Sequence, residues 1–268
     1  MEFFIGPCVL ESMELAREIA GRLKNDLAHL ESDIDIYFKG SFDKANRTSI
    51  DSYRGPGMDE GLKILETIKS EFGFQTITDF HLPAQADQVA SVVDVLQIPA
   101  FLCRQTDMII AGAEACKKHG SKLKIKKGQF LAPEDTVNIV KKAENFLSKE
   151  DIYLTERGTS FGYNNLVVDM ASFQIMKATG VKVVHDATHC VQRPGGLGNI
   201  TGGKREQIYT LAKAAIAAGA DAIFMECHPN PDEALSDKTT ALPLEKVAQI
   251  VESLVKIKKV VDTCPKSI

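Results

Sequence analysis

The sequence predicts an α/β fold, a single TIM-type (β/α)8 barrel. Eight short β-like runs alternate with eight longer amphipathic segments along 268 residues. Most of the runs lack the apolar/polar alternation of a half-exposed sheet, as expected of buried parallel strands. Nearly every run is followed by a dense cluster of polar residues, and in a barrel those strand ends converge on one face.

The first predicted strand, Phe3–Val9, leads into a helical pattern over Met13–Ala28. Asp35–Lys39 is followed by Met58–Phe72, Gln75–Thr78 by Gln85–Val92, and Val93–Gln97 by Met108–His119. In the second half, Leu123–Lys126 precedes Pro133–Phe146, and Ile152–Thr155 precedes Val168–Thr179. Lys182–His185 then precedes Arg205–Ala217, and Ala222–Glu226 precedes Leu244–Val261. Pro133 and Pro243 suit the first turn of a helix, and Gly180 and Gly219 suit helix ends. A doubly wound open sheet has the same alternation, but no glycine-rich dinucleotide fingerprint follows the first strand. No linker-like stretch divides the chain, so one catalytic domain over residues 1–268 is expected.

Hydrophobic residues make up 44% and charged residues 25%, as in ordinary soluble proteins. A net charge of −4 argues against a nucleic-acid partner, which calls for a basic excess. No apolar stretch reaches membrane-spanning length and no secretory signal is evident, which predicts a cytoplasmic protein without a membrane partner. Six scattered cysteines contain no Cys-x-x-Cys pair, in keeping with a reduced compartment.

Lys39, Lys44, Arg47, Arg104, Lys126, Lys127, Arg157 and Arg193 fall at successive predicted strand ends. Eight cations at one mouth of an acidic protein predict a small anionic substrate carrying more than one phosphate or carboxylate. Cys8, His189, Glu226 and Asp237 also lie near strand ends. Thiolate, imidazole and carboxylate suit a divalent ion such as zinc, iron(II), manganese or cobalt. Their separations make no local metal motif, His185 and His228 compete with His189, and a free cysteine is commonly a packed thiol. A nucleophilic cysteine would need an activating base, and no cysteine–histidine signature is present.

The strings "FKGSFDKANRTSIDSYRGPG", "IPAFLCRQTD", "KKGQFLAPED", "ERGTSFGYNNLVVD", "DATHCVQRPGG" and "LSDKTTALPL" resemble the 3-deoxy-D-manno-octulosonate 8-phosphate synthase family. The resemblance runs in order from Gly6 to about Leu244. It implies a TIM barrel, a homotetramer, and condensation of phosphoenolpyruvate with arabinose 5-phosphate for lipopolysaccharide inner-core synthesis. A related synthase using erythrose 4-phosphate is the alternative. By the same resemblance Lys127 and Arg157 hold the phosphoenolpyruvate phosphate, with Lys39, Lys44 and Gln97 around its carboxylate and reacting end. Asn46, Arg47 and Thr48 match the arabinose 5-phosphate site, Asp79 a sugar-hydroxyl contact, and Phe101 and Arg104 the pocket loop. Metal-independent members carry asparagine at the position of Cys8. The set Cys8, His189, Glu226 and Asp237 matches the metal-dependent branch, with His189 or Asp237 also placed to relay a proton.

Overall fold

The computed structural model describes residues 1–47, 49–197 and 200–265. The barrel strands come first in each repeat: β1 (Glu2–Gly6), β2 (Asp35–Lys39), β3 (Gln75–Asp79), β4 (Val95–Ile98), β5 (Lys122–Lys126) and β6 (Ile152–Glu156). Two short strands, β7 (Thr159–Ser160) and β8 (Leu166–Val167), pair antiparallel before the barrel resumes with β9 (Lys182–Asp186). A second antiparallel pair follows, β10 (Gln192–Leu197) with β11 (Ile200–Gly203). The barrel ends with β12 (Ala222–His228), onto which β13 (Leu242–Pro243) adds in parallel.

The helices are α1 (Met13–Asp26), α2 (Met58–Phe72), α3 (Ala86–Ala90), α4 (Thr106–His119), α5 (Thr136–Ala143), α6 (Ala171–Lys177), α7 (Ile208–Ala217) and α8 (Leu244–Val261). Strand order is β1-β2-β3-β4-β5-β6-β9-β12, and β12 pairs back onto β1 in parallel, Gly6 opposite Glu226. That pairing closes the eight strands into the expected barrel.

The two-residue period of a strand sorts the chain into an outer and an inner core. Side chains such as Phe3, Ile5, Phe38, Leu96, Leu123, Leu154, Val183 and Ile223 join the helices in the larger buried cluster. The inner face carries Phe4, Tyr37, Ile77, Val95, Tyr153, Val184, Ala222 and Phe224, an apolar plug. Two residues further along these strands stand Lys39, Asp79, Gln97, Asp186 and Glu226, with Lys126 of β5 in the same layer, all buried. The barrel interior is therefore apolar below and charged above.

Local signals account for most boundaries. The Ser12 side chain accepts from the Leu15 amide (3.1 Å) and caps α1. Gly73 and Gly120 end α2 and α4 with φ of 73° and 72°, the left-handed geometry a glycine adopts without strain. The first strand stops at Gly6 rather than Val9, because Pro7 has no amide to extend the ladder. The α5 and α7 patterns begin with single 3-10 turns, Pro133–Asp135 and Arg205–Gln207, before the α-helix proper. The two antiparallel pairs and β13 have no counterpart in the sequence reading: β7, β8 and β13 have two residues each, too few for periodicity to register, and β10 and β11 carry proline and glycine in place of a strand pattern.

His185 on the outer face of β9 is fully buried, its ring set edge-on to Phe173 of α6 at 5.6 Å. Burial lowers its pKa to about 4. The unfolded chain takes up a proton near the ordinary histidine value of about 6.5, the folded chain only near 4. Stability is therefore fully present above that upper value and falls as pH drops through the window. We expect the unfolding free energy from urea titration to decline from pH 6.5 to 4, by on the order of 3 kcal/mol from this group. His185→Phe should flatten that decline, measured at fixed protein concentration; an unchanged pH slope would contradict it.

Candidate active site and metal centre

The charged upper layer floors a cleft of about 800 Å³ at the C-terminal end of the barrel. Five of the eight strand-end cations line it: Lys39, Lys44, Arg47, Lys126 and Arg157. Asn46, Asp79, Gln97, Phe101, His189, Glu226 and Asp237 line it too. A second recess at the opposite end is lined by groups already paired with one another, such as Lys182 with Glu2 (3.0 Å) and Lys259 with Asp33 (2.7 Å).

The other three cations stand elsewhere, and Cys8 is buried behind the lining, against Asp237. Lys127 follows the last residue of β5, and its fully buried ammonium points away from the cleft lining. It donates to Thr159 Oγ1 (3.1 Å) and the Leu131 carbonyl (3.2 Å), 3.3 Å from Glu156. Lys126, one residue earlier, faces the cleft instead, 2.7 Å from Asp186 and 4.0 Å from the Phe224 ring centroid. Adjacent lysines at a strand end look alike in a sequence, and only the register decides which points inward. Arg104 is exposed and does not line the cleft, and Arg193 is likewise exposed on β10. Thr48 lies outside the described residues.

The anionic side of the site is built where β1 meets β12. Cys8 Sγ lies 3.0 Å from Ser236 Oγ and 3.1 Å from Asp237 Oδ2. One potential ligand atom from each of Cys8, Glu226 and Asp237 falls within 4.8 Å of the others. His189 Nε2 approaches Glu226 Oε2 (3.3 Å) and Asp237 Oδ2 (3.5 Å). Asp237 holds this position with φ of 52°, unusual for a residue other than glycine and concentrated at functional sites. His185 faces the outer core, and His228 lies by Glu11 at 3.7 Å, so His189 is the imidazole at this cluster.

Two further observations fit a divalent cation here. Glu226 Oε2 is buried with no hydrogen-bond partner, an orphan acceptor facing the same cluster. The other ring nitrogen of His189, Nδ1, is held by Asp186 Oδ2 at 2.8 Å, which leaves Nε2 free to ligate. Burial pushes the Cys8 thiol up, and the charges of Asp237 and Glu226 push it further. Such a thiol is a poor free nucleophile and becomes a thiolate only beside a strong positive charge. Burial opposes the charge on His189, but Asp186 and Glu226 outweigh it and raise its pKa. Burial likewise opposes the Asp237 carboxylate, and His189 and Lys44 more than offset it, holding the group ionised.

The cationic side is arranged for anions. Lys39 Nζ donates to the Pro7 and Cys8 carbonyls (3.0 and 2.6 Å) and to Glu226 Oε1 (2.5 Å). Lys44 donates to Ser41 Oγ (3.0 Å); burial lowers its pKa, but Cys8, Glu226 and Asp79 prevail and keep it well above the ordinary value. Arg157 Nη2 donates to Gln192 Oε1 (2.7 Å), while its buried Nη1 has no partner, a donor left over for a ligand. Arg47 reaches across to Ser236 Oγ and the Leu235 carbonyl, each at 2.7 Å. His81, Gln192 and Ser236 line the cleft without having been singled out from the sequence. Asp186 was missed as well, although its place three residues before His189 is a local signal.

Removing the carboxylate behind His189 tests the centre. Asp186→Asn should weaken divalent-metal binding by roughly 10–100-fold while the chain stays folded. Equilibrium dialysis against zinc and cobalt checks this, and unaltered affinity would remove Asp186 from the design.

Residues 1–263 match the model of the DAHP synthetase I family. The chain is 53% identical over 256 residues to the 2-dehydro-3-deoxyphosphooctonate aldolase of Fusobacterium nucleatum, covering 96% of this chain and 90% of that protein. The protein of the same name from Francisella tularensis subsp. holarctica is 51% identical over 269 residues, covering 99% and 94%. That of Legionella pneumophila is 53% identical over 249 residues, covering 93% and 88%. The chain belongs to the DAHP synthetase I family.

Proposed function

We propose that this DAHP synthetase I family enzyme condenses phosphoenolpyruvate with D-arabinose 5-phosphate and water, giving 3-deoxy-D-manno-octulosonate 8-phosphate and phosphate. The observation that carries the reading is one cleft in which five cations face His189, Glu226 and Asp237, with Cys8 buried against Asp237, in a chain half identical to phosphooctonate aldolases. An eight-carbon product less the three carbons of phosphoenolpyruvate leaves a five-carbon aldehyde. Erythrose 4-phosphate, with four carbons, gives one carbon too few.

The reaction joins the phosphoenolpyruvate methylene carbon to the aldehyde carbon of the sugar. Water adds to the enol carbon, and phosphate leaves by carbon–oxygen cleavage. The proton lost by the water matches the one taken up by the aldehyde oxygen, so proton transfer balances within the site. Both substrates are polyanions, and fixed cations offset their repulsion and orient them.

In this reading Lys126 and Arg157 hold the phosphoenolpyruvate phosphate, Lys126 taking the part first ascribed to Lys127. Lys44 and Gln97 border its carboxylate, and Lys39 anchors the floor beneath it. Asn46 and Arg47 take the sugar phosphate and Asp79 a sugar hydroxyl. Cys8, His189, Glu226 and Asp237 would hold a divalent ion. When bound, such an ion supplies a positive charge that polarises oxygen and lowers the pKa of water. His189 and Asp237 border the reacting atoms and are placed to pass the proton.

The reading includes a cytoplasmic homotetramer. It is supported by exposed Phe130, Phe161 and Tyr163, which a subunit contact would cover, and no described helix is long and apolar enough to cross a membrane.

Phosphate release from phosphoenolpyruvate should require arabinose 5-phosphate and not occur with erythrose 4-phosphate, assayed side by side. Equal release with both aldehydes would reject the five-carbon assignment. Cys8→Ala should lose bound metal and roughly 100-fold or more of the activity, a ligand counting for at least as much as its supporting shell. Cys8→Asn should keep partial activity that a chelator does not touch; chelator sensitivity equal to the parent's would refute that expectation.

A further inference from the structure

Among the described residues, β5 gives no side chain to the inner apolar plug to which the other seven barrel strands contribute. Lys124 stands there instead, fully buried, its ammonium nitrogen 4.8 Å from the Phe224 ring centroid and 5.3 Å from that of Phe4. It does not line the cleft, so it is not a surface for anions. Burial, with Lys126 nearby, lowers its pKa well below that of an ordinary lysine.

Its hydrogen bond runs upward, to Gln97 Oε1 at 2.8 Å. Gln97 Nε2 donates in turn to Asp79 Oδ1 at 3.0 Å. Ser41 Oγ reaches both Asp79 oxygens at 3.1 Å, and Lys44 donates to Ser41. Asp79 is kept ionised: burial opposes its charge, but His81, Lys44 and Lys39 outweigh it. An ionised carboxylate only accepts, so the amide NH2 of Gln97 must face Asp79. The amide oxygen then faces Lys124, which donates whether or not it carries a charge.

We infer that Lys124 is a positioning residue: from beneath the cleft it fixes the orientation of the Gln97 amide and, through Gln97, the setting of Asp79. The inference rests on the proposed function, in which Gln97 borders phosphoenolpyruvate. Without Lys124 the Gln97 oxygen that points at the apolar plug would be left unpaired, and the side chain would turn to find another donor.

The test is Lys124→Met, which keeps much of the volume and removes the donor. KM for phosphoenolpyruvate should rise roughly tenfold, the effect of one buried hydrogen bond, with a smaller change in kcat. The thermal midpoint should stay level or rise, since an amine has left an apolar plug. The double variant Lys124→Met/Gln97→Leu should be no worse than Gln97→Leu alone, because a residue acting through Gln97 adds nothing once Gln97 is gone.

An unchanged KM, or fully additive losses in the double variant, would overturn the role while leaving the parent reaction in place. If Lys124→Met does not fold, Lys124→Leu carries the same expectation, and failure of both to fold would assign Lys124 to structure instead. A parent enzyme inactive with phosphoenolpyruvate and arabinose 5-phosphate would overturn the proposed function and this role together.

Discussion

The site depends on how the first and last barrel strands are joined. Lys39 is buried where β1, β2 and β12 meet, and its ammonium binds the Pro7 and Cys8 carbonyls and the Glu226 carboxylate at once. Those contacts hold Cys8 and Glu226 on the same side of the closure. A buried charge stripped of its partner costs about 3–5 kcal/mol, so each half of this pair requires the other. The absence of a side chain at Gly6 makes the approach possible: a Cβ there would sit 2.0 Å from the Lys39 carbonyl oxygen. The strand pairing that closes the barrel also brings two of the candidate metal ligands, Cys8 and Glu226, to one place.

Above the plug, the interior is a balance of opposed charges. Lys126 is set against Asp186, Lys39 and Lys44 against Glu226, and His189 against three carboxylates. Taken out of water, none of these groups is tolerable alone, and the pKa directions reflect it: burial opposes charge, and neighbouring charges restore it. What the network leaves unsatisfied marks where ligands belong. Glu226 Oε2, beside His189, accepts no hydrogen bond at the metal-type cluster, and Arg157 Nη1 donates none although its residue lines the anion cleft.

Much of this was legible from residue order. Helices such as Met58–Phe72 and Leu244–Val261 fall where apolar spacing puts them, because long amphipathic segments register strongly. The cations at strand ends and the four candidate ligands were visible as types, since anions and divalent ions require those chemistries wherever they stand. Lys126 and Lys127 were not separable, because a one-residue difference in register reverses a side chain and composition is blind to it. Lys124 was invisible for the related reason that a lysine inside a predicted strand reads as a surface charge until the strand is seen to face a barrel interior.

By itself, then, the sequence determined an alternating eight-unit α/β chain, an anionic substrate and a set of residues capable of holding a metal. Each follows from local periodicity or from side-chain chemistry, which one dimension records. Only the tertiary structure decided which of those residues meet. Cys8 and Asp237 are 229 positions apart in the chain and 3.1 Å apart in space because β12 pairs with β1. That closure, and the inward or outward sense of each strand position, are properties of the sheet as a whole, and no segment carries them alone.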